Sequence, residues 1–150
     1  GSEVRLKNGY IIEATRCVKD ADGNIVEVHA TYDPKSKSGS DTPESLRKVK
    51  GTLHWVSASH AIEAPVRLYD RLFSHESPDT QKDKDFMSFL NPESLKVVTA
   101  YCEPSLKEAK PGETFQFQRL GYFTVDTKSR ELTFNRTSQL RDTWAKLAEE

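Results

Sequence analysis

The chain holds 150 residues, enough for one domain, or two small ones, with a substantial core. Hydrophobic residues make up 35% of it with no apolar run near bilayer-spanning length, so a soluble protein is expected, and no signal peptide precedes Glu3. A formal net charge of −1 argues against nucleic-acid binding by bulk positive charge and leaves only local contacts.

Gly1 and Ser2 read as the remnant of a cloning junction, so a piece of a longer protein is expected. Val4 to Tyr32 then reads strand, turn, strand. Tyr10, Ile11, Ile12 and Val18 mark the first arm, Ile25 to Tyr32 alternates as the second, and Asp20 to Asn24 supplies turn residues that tolerate positive φ. Asp33 to Ser45 is rich in Pro, Ser, Lys and Gly, which predicts a mobile surface loop.

Lys48 to Val56 and Ala64 to Leu72 carry strand patterns and are expected to pair with each other across Ser57 to Ile62. Ser74 to Lys84 is a polar loop, and Asp83 to Leu90 a short helix that Asn91-Pro92 stops. Leu95 to Cys102 is apolar enough for a buried strand, and Ser105 to Ala109 suits one helical turn. Further strands are expected around Phe115, at Tyr122 to Val125 and at Leu132 to Phe134, with a terminal helix at Asp142 to Glu149 that turns Trp144 and Leu147 inward. Many short strands with long loops predict an all-β fold of two small β-barrels with short helices, their seam near Leu72 to Pro78.

Cys17 and Cys102 stand far apart in apolar, strand-like runs and read as buried free thiols in a reducing cytoplasm. His54 and His60 flank Ser57 and Ser59, but no third group orients a nucleophile, and two histidines fall short of a metal set. No glycine-rich phosphate loop is present. No catalytic residue, metal or cofactor is therefore expected in this chain. Trp55 reads as core rather than as a base-stacking platform. Basic residues gather at Arg5 and Lys7, at Lys35 and Lys37, at Arg47, Lys48 and Lys50, and at Arg136 and Arg141, away from the acids Asp79, Asp83 and Asp85.

The segment Thr114 to Phe123 is the most informative. On an extended strand Phe115 and Phe117 point to one face and bury together, while Gln116 and Gln118 point to the other. An amide offers donor and acceptor in one plane and a guanidinium offers a fork of donors, the chemistry that reads an unpaired base. Strict alternation puts Arg119 on the Phe face, so a twist or bulge before Gly121 is expected to swing it outward.

Lys48 to Gly51 with His54 to Ser57, Arg67 to Phe73, Phe115 to Phe117 with Arg119 and Gly121 to Phe123, and Phe134 to Thr137 with Leu140 to Trp144 stand in order along the chain. Together they closely resemble the C-terminal part of bacterial glutaminyl-tRNA synthetase, from about Val4 to the end. The resemblance implies two barrels like ribosomal protein L25, a distal anticodon-binding barrel mostly over residues 1–72 and a proximal portion with the terminal helix over 73–150. It implies an anticodon-binding domain that recognises the unstacked anticodon bases of glutamine tRNA. ATP-dependent glutamine activation would lie in a class I catalytic domain of the same polypeptide. A cytoplasmic monomer is expected.

By position, the resemblance implies that Arg5 contributes to the first anticodon base, with Lys7 beside it where the family can carry Arg. It implies that Gln116 and Arg119 read the middle uracil, and that Arg141 lies near the anticodon backbone. Ion pairing of Arg141 with Asp142 or Glu149 is the bland alternative for that residue. A glutamyl-tRNA synthetase anticodon domain is the nearest competitor to the whole reading, and a protein-interaction β-barrel without RNA is the next.

Overall fold

The computed structural model describes residues 1–80 and 82–140. It divides into two compact units, Gly1–Trp55 and Val56–Glu150. The expected terminal helix and Arg141 lie outside the described residues. As the sequence predicts, the chain is mostly sheet, and its described helices are single turns.

In the first unit, β1 (Glu3–Leu6), β2 (Ile11–Lys19), β3 (Ile25–Tyr32) and β4 (Thr52–Leu53) form one sheet in the order β3-β2-β1-β4. β4 runs parallel to β1, while β1 with β2 and β2 with β3 are antiparallel. At the tip of the β2–β3 hairpin the Asp20 carboxylate accepts the backbone N–H groups of Asp22 and Asn24, and Gly23 takes positive φ. Beyond Glu13, β2 pairs only with β3, which leaves a two-stranded ribbon with solvent on both faces. For that reason Cys17 is exposed, contrary to expectation, and only Cys102 is buried; both are free thiols.

The Asp33 to Ser45 segment corrects the sequence reading most clearly. It has little apolar surface, as its composition indicates, yet it is tied down by polar bonds. The fully buried Ser36 hydroxyl donates to Asp33 O (2.7 Å) and accepts the Ile11 N–H (2.8 Å). Ser38 donates through both its N–H and its hydroxyl to Gly9 O. Thr42 caps the single turn α1 (Pro43–Leu46) by accepting the Ser45 N–H, and Pro43 at its first position lacks the N–H that would go unbonded there.

The second unit holds β5 (Ile62–Tyr69), β6 (Leu95–Cys102), β7 (Thr114–Phe117), β8 (Gly121–Val125) and β9 (Phe134–Ser138), in the order β6-β5-β9-β8-β7. β5 thus pairs with β6 and, in parallel, with β9, not with the 48–56 segment as expected. The first unit ends at Trp55. The short helices foreseen at Asp83 to Leu90 and Ser105 to Ala109 are 3₁₀ turns at Phe86–Phe89, capped by the Asp85 carboxylate, and Pro104–Glu108.

Alternation along these strands points Ala64, Val66, Cys102, Phe123, Val125 and Phe134 into one core. Phe117 stacks on Phe123 with ring centroids 4.4 Å apart and meets Phe134 edge-on at 5.1 Å; Phe115 meets the same ring at 6.2 Å. These offset and edge contacts add to the burial energy of the rings and fix the register of β7 against β8.

Candidate nucleic-acid interface

β7 is an edge strand, and its register against β8 pairs Phe115 with Phe123, Gln116 with Tyr122 and Phe117 with Gly121. With both Phe side chains packed against the core, Gln116 is held on the outer face, exposed and directly opposite Tyr122. Tyr122 is 41% exposed. Directly opposed residues on one face of an antiparallel pair stand about 5 Å apart at Cβ.

The strand ends at Phe117, and Gln118, Arg119 and Leu120 form a tight turn closed by a Leu120 N–H bond to Phe117 O. Arg119 occupies the left-handed region at φ 66°, uncommon for a residue with a side chain. This turn is what carries Arg119 off the Phe face, so the expected twist exists as a change of backbone hand. It leaves Gln118 and Arg119 exposed at the hairpin end. Gly121, at φ 148°, follows; a Cβ there would lie 2.5 Å from Ser138 O, so only glycine lets β8 approach β9 this closely. An irregularity between Tyr122 and Phe123 opposes them to Ser138 and Arg136 and leaves Thr137 as the extra residue, its hydroxyl donating to Tyr122 O.

Behind this hairpin, Asp126 accepts from four groups: Arg67 Nη1 and Asn135 Nδ2 on one oxygen, the Lys128 and Ser129 N–H groups on the other. The Asn135 amide and the two backbone N–H groups hold its carboxyl well below the usual carboxylate range. Arg67 is thereby committed to an ion pair of 2.9 Å whose carboxylate is largely covered. Tyr69 donates to Asn135 Oδ1 and extends the same network across β5.

In the first unit Arg5 and Lys7 follow one another on β1 and at its end. Arg5 Nη1 donates to Ser36 O and Ser38 Oγ, and Nη2 to Ser45 O and Arg47 O, at 2.7 to 3.3 Å. Lys7 bonds through its backbone to Leu53 O, and its carbonyl accepts the Trp55 indole N–H at 2.9 Å. Trp55 is nearly half exposed and lies against Gly9, so it is not a core residue as expected. His60 Nδ1 sits within hydrogen-bond distance of the Ser57 and Ser59 hydroxyls in a turn. Among the described residues, no three His, Cys, Asp or Glu converge as metal ligands, and no helix is long and apolar enough to cross a membrane.

Gln116 and Arg119 therefore sit on one hairpin, Arg5 on β1 of the other unit with Lys7 just past the end of that strand, and Arg141 outside the described residues. The sequence reading missed Tyr122. The alternation of Gly121, Tyr122 and Phe123 was the available signal, since a buried Phe123 forces its neighbour outward.

Comparison with known proteins matches two stretches of the chain. Residues 52–126 match the family described as tRNA synthetases class I (E and Q), anti-codon binding domain, and residues 1–33 match a second family of the same description. The chain is 56% identical over 149 residues to a glutamine–tRNA ligase of Cupriavidus metallidurans, covering 97% of this chain and 25% of that protein. It is 55% identical over 150 residues to one of Rhodopirellula baltica, covering 98% and 25%, and 53% identical over 152 residues to one of Salmonella choleraesuis, covering 99% and 27%. The chain spans about a quarter of the length of the curated relatives it matches.

Proposed function

The chain belongs to the anticodon-binding family of the class I glutamyl- and glutaminyl-tRNA synthetases, and from that premise we propose that it reads the anticodon of glutamine tRNA for a glutamine–tRNA ligase. The ligase chemistry, with its ATP, belongs in this reading to the remainder of the longer protein, and this chain acts as a cytoplasmic, monomeric RNA-binding portion without catalytic residues of its own.

The observation that carries the reading is the outward pair of Gln116, on an edge strand anchored by Phe115 and Phe117, and Tyr122 opposite it on β8. A uracil edge presents an N–H donor between two carbonyl acceptors. The Gln116 amide complements one donor and one adjacent acceptor in a single plane, and the Arg119 fork supplies further donors. The Tyr122 ring supports the face of the same base. Because Gln116 is fixed by its strand, it meets the base without much further ordering, which favours discrimination. Lys7 adds positive charge for the first-base end, and Arg141 for the RNA backbone.

The test is titration of the chain with the anticodon stem-loop of glutamine tRNA across a range of salt. Binding that falls with salt and falls again when the middle uracil is replaced supports the reading. Binding indifferent to the middle base overturns it.

A further inference from the structure

The Arg5 guanidinium is already engaged within its own unit. Both terminal nitrogens of its guanidinium already hold two acceptors each: Ser36 O at 3.1 Å and Ser38 Oγ at 3.3 Å, then Ser45 O at 2.7 Å and Arg47 O at 3.3 Å. A base edge would need the same fork. The first two acceptors lie early in the segment after β3. The other two are carbonyls at the C-terminal end of α1, where the helix supplies no partners of its own. One side chain from β1 thus ties both ends of the segment to the sheet. Arg47 adds a second tie, to Glu3 and Asp33.

The segment so held carries exposed Lys35, Lys37, Lys48 and Lys50, against exposed Asp41 and half-covered Glu44, since Arg47 engages Asp33. It lies between the two regions, 1–33 and 52–126, that match the family descriptions. Lysine is a compact point charge suited to phosphate, where position matters more than planar fit.

We propose that Arg5 is a positioning residue that folds the 33–50 segment into a fixed platform from which Lys35, Lys37 and Lys48 contact phosphates of the bound RNA. The proposal rests on the anticodon reading above and assigns to that RNA a backbone contact outside the base-reading hairpin. Arg5 then affects affinity for every sequence alike.

The experiment pairs amide hydrogen exchange of the free protein with stem-loop titration, using four stem-loops that differ only at the first anticodon base. The variants are Arg5→Ala, Arg5→Lys, the triple change Lys35→Ala, Lys37→Ala and Lys48→Ala, and that triple combined with each Arg5 change. Arg5→Ala is expected to speed exchange across 33–50 and to weaken binding roughly tenfold for all four bases, with the log–log salt slope shallower by about 2, three single-strand phosphate contacts at about 0.7 each. Adding the lysine changes to it is expected to cost nothing further, because the platform is already lost. A merely structural Arg5 would leave the two sets of changes additive. Loss confined to one first base with exchange unchanged, or additive losses, overturns the proposal. Arg5→Lys, which keeps charge but cannot span four acceptors, decides the matter if Arg5→Ala fails to fold. No binding by the parent chain would overturn the anticodon reading instead, while the exchange result still decides whether Arg5 holds the segment.

Discussion

Gln116 faces Tyr122 directly across the β7–β8 pair, an amide and a phenol ring held side by side on the outer face of a strand whose inner face is packed with phenylalanine. In the proposed reading the amide supplies hydrogen-bond sense and the ring supplies a surface for an unstacked base.

Tyr122→Ala is accordingly expected to weaken stem-loop binding by about 1 to 3 kcal/mol with little change in base preference, the behaviour of a lost stacking surface. Tyr122→Phe retains the ring and should bind within about twofold of the parent, a loss below 0.5 kcal/mol. Titration of both variants with the glutamine-tRNA stem-loop and with its middle-base variants checks both expectations.

Arg119 joins two demands that pull apart. Its left-handed backbone carries a cost of about 1 kcal/mol that glycine does not have, while its guanidinium serves the proposed base contact. Arg119→Gly relieves that backbone cost and is expected to show a weaker RNA affinity. Stability and binding measured on the same preparation separate the two effects.

Phe134 is fully buried and receives both Phe115 and Phe117 edge-on. Phe134→Ala is expected to destabilise the second unit by about 3 to 5 kcal/mol, through lost burial and the cavity left behind. Urea unfolding followed by circular dichroism measures it, and loss of the Gln116-dependent base preference should accompany the loss of the sheet.

Much of this fold was legible because strand patterning is local. Ile25 to Tyr32 and Leu95 to Cys102 alternate or run apolar, and both appear with those bounds. Partnership is not local. The segments at 48–56 and 62–69 look like neighbours in sequence, yet each closes a different sheet through a parallel pairing, Arg5 with Thr52 and Val66 with Phe134. The 33–45 segment misled for another reason. Its order comes from serine hydroxyls and an arginine fork, and a polar composition reads the same whether those groups bond to water or to the backbone. At the hairpin, alternation placed Gln116 correctly, but it could not foresee that Arg119 leaves the strand by a change of backbone hand.

Acid should act through Asp126. Its carboxyl titrates lower in the folded chain than its unfolded value of about 3.9, so the charged form contributes stability that is complete above about pH 5 and is lost as pH falls through the folded value. Asp126→Asn removes this dependence along with the Arg67 ion pair. Urea midpoints of the two proteins, compared between about pH 6 and pH 2, should lie furthest apart at the upper end and converge as the carboxyl protonates. A constant gap would contradict the assignment.

The account stands most directly on Gln116. The deciding measurement is the dissociation constant of the chain and of Gln116→Ala for four stem-loops that differ only at the middle anticodon base. The account predicts that the parent prefers uracil and that Gln116→Ala narrows that preference by about 1 to 3 kcal/mol while still binding all four. The same ranking and spread of affinities in both proteins would contradict it.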